Sequence, residues 1–223
     1  MLLMSWQQFW APVQLSLQVA LVSSVIVMLL GIAAAWGMTR IRFKGRLVVE
    51  TVIMLPLVLP PTVVGFLLLV LLGRKSWAGR AIEWLFEAPI VFSWWAAVAA
   101  SVVVAFPLVY QTMKTGFGGV NRDMEDAARS FGAGEWQVLW HITLPLAAPS
   151  LISAYILGFA RSLGEFGATL MIAGNIPGRT QTLPTAIYVA VDGGHMSLAW
   201  AWTGAIVLFS FFLLLLTGRK KTE

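Results

Sequence analysis

From Pro12 to Met38 the chain reads PVQLSLQVALVSSVIVMLLGIAAAWGM, without a single charge, and then turns basic at Arg40, Arg42, Lys44 and Arg46. At about 1.5 Å of rise per residue, roughly 20 apolar residues cross the hydrocarbon of a bilayer, so this run is long enough to span one. Ala33, Ala34 and Ala35 would suit a leader-peptide cleavage site, but no basic segment precedes the run and the cations follow it. That is the order of a retained span. Trp6, Phe9 and Trp10 stand ahead of it, where aromatics belong at a membrane surface.

The rest of the chain repeats the pattern. Of 223 residues, 59% are hydrophobic and 11% charged, against roughly 45–50% and about 25% in soluble domains. The mean hydropathy is +0.83. Further apolar runs cover 47–72, with Pro56, Pro60 and Pro61, and 92–113, opened by Trp94 and Trp95 and interrupted by Pro107. Two more cover 147–173, which holds Arg161 and Glu165, and 198–217, opened by Trp200 and Trp202 and closed by Arg219, Lys220 and Lys221. After Asn175-Ile-Pro-Gly178, the piece Leu183–Val191 is too short to span and predicts a re-entrant or surface helix. The expectation is an all-α polytopic membrane protein, a single domain over 1–223, with five spans and no room for a nucleotide-binding domain.

The net charge of +5 does not point to nucleic acid, because the cations form short clusters between spans and no continuous basic face. Five spans put the termini on opposite sides. With the 39–46 loop inside, ten cations fall inside: Arg40, Arg42, Lys44, Arg46, Lys114, Arg122, Arg129, Arg219, Lys220 and Lys221. Only Arg74, Lys75, Arg80 and Arg179 fall outside. That asymmetry predicts an outer N-terminus and a cytoplasmic C-terminus. Trp94, Trp95, Trp200 and Trp202 then join an outer aromatic belt. With no cysteine, thiolate metal sites and cysteine nucleophiles are excluded.

The inner loop 121–145 reads NRDMEDAARSFGAGEWQVLWHITLP. Asn121 can cap a helix whose early acids Asp123, Glu125 and Asp126 complement the helix dipole. Gly132 can end it in a left-handed turn. A second short helix then carries Trp136 and Trp140 four apart, so the two helices would form a projecting knob. By itself this fits either a docking element or an amphipathic helix on the inner leaflet; a DNA-binding helix-turn-helix cannot reach a duplex from between two spans.

The spacing is that of one family. Asp126-Ala127-Ala128, three residues, Gly132, nine residues, then Ile142-Thr-Leu144-Pro145 resembles the E-A-A loop of binding-protein-dependent ABC importer permeases, with Asp in place of Glu. The resemblance implies that Asp126, Ala127, Ala128, Gly132, Trp136, Trp140, Ile142, Leu144 and Pro145 couple to an ATPase. It also implies a second copy of the chain, two ATPase subunits holding the ATP and Mg, and an extracellular or periplasmic oxyanion-binding protein. Within that class, Leu55–Gly65 and Phe159–Tyr188 resemble molybdate permeases, and sulfate/thiosulfate permeases are similar over the same stretches. The implied function is molybdate or tungstate import across a bacterial or archaeal cytoplasmic membrane, by alternating access.

Prolines inside a span free carbonyls that lipid cannot satisfy, so Pro56, Pro60 and Pro61 suit either a passage or a plain kink, with Thr62 and Gly65 bordering it. Arg161 and Glu165 stand four apart, within ion-pair reach on one helix face. At about 1.5 Å per residue Arg161 lies roughly 21 Å beyond Ala147, in the outer half of the membrane. The pair reads as a gate or as a local packing pair. Beside it, Ala160, Gly164 and Ala168 make a small-residue ridge for close helix contact. No G-x-x-x-x-G-K-[ST] occurs, so the chain does not bind ATP by a P-loop. His141 and His195, the two histidines, are far apart in sequence and suggest no metal site. The rivals are an ion-coupled secondary transporter or channel, for which Glu165 offers the one intramembrane carboxylate, and an intramembrane enzyme, for which no catalytic set is present.

Overall fold

The computed structural model describes residues 6–41 and 43–218. Arg42, Arg219, Lys220 and Lys221, counted among the inner cations, lie outside the described residues, as does the Trp6 side chain. Every regular element described is helical.

Helix α1 (Trp6–Arg40) is about 52 Å long at 1.5 Å per residue. It can therefore cross the hydrocarbon and carry its basic end well past it. Its serines do not break the apolar run, because hydroxyls bond back into the helix: Ser24 Oγ donates to Leu21 O at 2.9 Å and Ser23 Oγ to Val19 O.

The second run departs from the expected span. It forms α2 (Arg46–Val58) and α3 (Pro61–Leu72), which meet at 117°. Leu59 is extended, as a residue before proline must be, and Pro61 opens the new helix at a position where no N–H is needed. The paired prolines thus bend the run into two helices. The loop after it contains a helix the composition did not announce, α4 (Trp77–Phe86), capped by Ser76 Oγ, which accepts from Gly79 N at 2.8 Å.

Helix α5 (Trp94–Gly118) starts on Ser93, whose hydroxyl accepts from Ala96 N, and runs through Pro107 unbroken. It is the centre of the bundle, packed on α1, on α9 (Ala148–Leu163) and on α10 (Gly167–Ala173). Val109 is fully buried against the bare backbones of Gly31 in α1 and Gly158 in α9. Here, absent side chains let three helices approach closely.

Between α5 and α9 stand α6 (Arg122–Ser130), α7 (Glu135–Val138), a π-helical turn Leu139–Thr143 and the short α8 (Leu144–Leu146). The chain bends by 77° into α9. The fourth apolar run is not one helix either: it stops at Leu163 and restarts at Gly167. Helix α11 (Leu183–Asp192) is about 15 Å long, half a bilayer, in keeping with the expected short helix. It is tied to α1 by Leu183 N donating to Ser16 Oγ at 2.6 Å. Helix α12 (Met196–Gly218) packs mainly on α11 and exposes Val207, Leu208, Phe211 and Phe212. An apolar helix this bare suits lipid as its outer solvent.

By length and composition three helices can cross a membrane, or up to five segments if each bent pair counts as one.

Candidate functional site

The knob is built on local signals. Asn121 Oδ1 accepts from Asp123 N at 2.9 Å and starts α6. At its other end Gly132 takes φ +87°. Gly132 N donates to Arg129 O at 2.9 Å and Ala133 N to Ala128 O at 3.1 Å, the paired bonds of a glycine-ended helix. A Cβ at Gly132 would touch nothing within 4 Å, so its backbone angle alone demands glycine.

Arg129 closes the elbow. Its guanidinium meets Glu135 Oε1 at 2.7 Å and Oε2 at 3.3 Å, and Asp126 Oδ1 at 2.6 Å. The bidentate contact raises the Arg129 pKa and holds the Glu135 carboxyl below its ordinary range.

The nine loop residues singled out by sequence occupy different environments. Asp126 and Ala127 are exposed, while Ala128, Gly132 and Ile142 border one open groove at the elbow. Trp136 on α7 and Trp140 on the π turn are both exposed, at 66% and 63%. The Trp136 ring also lies 5.7 Å, centroid to centroid, from Trp36 of α1. Leu144 and Pro145 form the last turn before the bend into α9.

Three features escaped the sequence reading. Phe131 is 93% exposed at the tip of the elbow; an apolar residue just before the helix-ending glycine was its only trace. Glu125, read as a dipole partner, is buried at 5% exposure. Its carboxylate takes Arg40, at the end of α1, and the Thr143 hydroxyl at 2.6 Å. A cleft of about 470 Å³ opens beside it, bordered by Trp36, Arg40, Lys114, Glu125 and Arg129. Glu50 of α2 is the third: it binds Lys114 at 2.9 Å and Arg46 at 3.0 Å.

At the membrane break the start of α3 meets the chain next to the charged pair. Arg161 Nη1 meets Glu165 Oε2 at 2.8 Å. They do not share one helix, however. Glu165 lies in the break, and its Oε1 accepts from Ala168 N at 2.9 Å, capping α10. The α3 start rests on the same spot: a Cβ at Gly167 would lie 3.1 Å from Pro61 Cβ and 3.3 Å from Thr62. Gly65 does not border open space. It is buried, and a Cβ there would strike Met171 Cβ at 2.7 Å and Ala168 Cα at 2.8 Å. Thr62 and Pro60 are exposed, and Pro56 lies half-buried inside α2 without breaking it. Of the small-residue ridge, Ala160 and Gly164 stay exposed while Ala168 is buried under Gly65.

Residues 27–219 match the family of binding-protein-dependent transport system inner membrane components. The chain belongs to that family. It is therefore an inner-membrane, multi-pass transport component, and the match takes in both the knob and the membrane break. YvgM of Bacillus subtilis (strain 168), a permease protein assigned to a molybdenum transport system, is 57% identical over 98% of this chain and 96% of its own. The molybdenum transport system permease protein ModB of Escherichia coli (strain K12) is 42% identical over 92% and 91%. The sulfate transport system permease protein CysW of Synechococcus elongatus is 33% identical over 95% and 73%. The crystal structure of a bacterial ABC transporter that imports alginate superposes with a TM-score of 0.74 at 16% identity, over 97% of this chain and 80% of that one. At that identity the likeness concerns the fold of this inner membrane component.

Proposed function

We propose that the chain is the permease subunit of an ATP-driven importer for molybdate, with tungstate as a chemically close second cargo. The gradient of similarity carries this reading: relatives named for molybdenum transport stand at 57% and 42% identity, a sulfate permease at 33%. At the membrane break the cationic side chain is Arg161, already paired with Glu165. Such a conduit holds a dianion weakly, and selectivity rests with a binding protein that delivers it.

In this reading two copies of the chain enclose the passage on a two-fold axis, with the exposed Ala160 and Gly164 available for close contact. Pro56, Pro60, Pro61, Thr62, Gly65, Arg161, Gly164 and Glu165 form or support the path and its gate, the glycines by packing. The knob residues Asp126 to Pro145 dock on the ATPase, with Phe131 and Trp140 as apolar anchors, each returning about 1.5–3 kcal/mol on full burial. Two ATPase subunits hold the ATP and Mg and perform the hydrolysis. The N-terminus lies outside and the knob and C-terminus inside, with lipid around α12.

The test is uptake into proteoliposomes by the complex of permease, ATPase and its own binding protein, with labelled molybdate and labelled sulfate offered separately. ATP-dependent molybdate uptake supports the reading. Sulfate uptake without molybdate uptake would move the chain to the sulfate branch, and uptake driven by a proton or sodium gradient without ATP would reject the class.

A further inference from the structure

We infer that Glu125 is the positioning residue through which movement of the knob reaches the first span, a link resting on the coupling reading of the knob.

Backbone connects the knob to α5 through 119–121 and to α9 through the bend at Ala147, but α1 has no covalent connection to it. Besides the apolar cluster that holds Met38 and takes Leu144 against it, the end of α1 meets the knob through Arg40 with Glu125 and through the Trp36 ring with that of Trp136. The Glu125 carboxylate sits at their centre. It takes Arg40 from α1, the Thr143 hydroxyl at 2.6 Å from the π turn, and Arg129 at 3.8 Å from its own helix.

The neighbouring acid has the opposite setting. Glu125 has 6% side-chain exposure and Asp126 has 69%. Adjacent residues on α6 thus have different settings: Asp126 stands at the surface with Arg129, and Glu125 turns inward, to three elements of its own chain. An ion pair with its carboxylate buried is screened less by salt than a fully exposed one. The cleft of about 470 Å³ lies beside the pair, so Arg40–Glu125 acts as a charged strut at its edge, beside the apolar contacts of Trp36. Displacement of the knob is transmitted through that strut to the inner end of α1, and through Thr143 to the entry of α9.

The experiment uses the complete complex with ATPase and binding protein, and reads three quantities: ATPase co-purified, ATP hydrolysed and molybdate moved per ATP. Glu125→Gln keeps the shape and removes the charge. It is expected to retain the ATPase and its basal hydrolysis while molybdate moved per ATP falls about tenfold, within the usual span of coupling energies. Arg40→Gln, at a partly exposed helix end where folding is less at risk, should give the same fall. Exchanging the charges, Arg40→Glu with Glu125→Arg, should recover much of it. Unchanged molybdate per ATP in both single variants overturns the inference, and so does loss of ATPase assembly, which would place Glu125 in the docking surface itself. Gly132→Val, measured in parallel, separates the two levels. If it assembles and transports normally, the coupling reading fails; if it loses the ATPase while Glu125→Gln transports normally per ATP, only the strut fails.

Discussion

The knob and the membrane break use the same parts: a helix end, a glycine and an arginine paired with carboxylates. Their surroundings make them different devices. Arg129 meets Asp126 and Glu135 where those acids keep 69% and 52% side-chain exposure, whereas Arg161 meets a Glu165 whose side chain keeps 1%. Water and salt weaken the first set; the second, with its carboxylate buried and its guanidinium 30% exposed, is screened much less. Charge in the knob sets shape and recognition, and charge in the break is bound up with folding.

The largest effect should come from breaking the buried pair. Glu165→Ala strands Arg161 and uncaps α10, and should cost about 3 kcal/mol, the low end for a broken buried pair because Arg161 keeps partial exposure. Membrane protein levels should fall sharply, and Arg161→Ala with Glu165→Ala should be milder than Glu165→Ala alone. Glu165→Gln retains an oxygen for Ala168 N and so separates cap from charge. Simple additivity would show that the two residues do not act as a pair.

Gly65 tests packing at the same place without charge. Gly65→Ala drives a Cβ into Ala168 and Met171 and should cost about 1–3 kcal/mol, lowering the thermal stability of the purified chain. Gly204→Ala, where a Cβ meets nothing within 4 Å, is the neutral control.

In the knob, Gly132→Val forces a β-branched residue into a left-handed angle, worth about 1–3 kcal/mol of local strain. Insertion should persist while ATPase association and uptake are lost; Gly132→Asn, which tolerates that angle, should keep both. Equal loss of insertion and association would erase the contrast between the two regions.

The smallest effect is the elbow pair. Because the folded Glu135 carboxyl is held low by Arg129, its contribution is present above the ordinary carboxylate range and is lost as pH falls through the lowered folded value. For so exposed a pair it is at most about 1 kcal/mol. Glu135→Gln should flatten that acid-side slope in unfolding curves and remove its salt sensitivity.

The same contrast explains how much could be read from sequence. Asn121, Gly132 and the gapped motif are local instructions, and the structure obeys them within a few residues. Pro60-Pro61 announced a break, but its 117° angle depends on α3 finding α10. The break at Gly164–Phe166 was hidden because the apolar run continues across it. Glu125 could not be told from Asp126, since its burial is decided by Arg40, 85 residues away. Gly65 reads in sequence as bordering a passage because only the folded chain brings Ala168 against it.

The chain contains no cysteine, so one introduced thiol reports one place. The central claim is that the knob, and not the opposite end, receives the ATPase. Ala127→Cys and Trp84→Cys variants, each assembled with the ATPase and treated with a short cross-linker that joins the thiol to neighbouring amines, measure it directly. The account predicts a permease–ATPase product from position 127, strengthened or weakened by ATP, and none from position 84 of α4. A product from position 84, or none from 127 in a complex shown to be assembled, would contradict it.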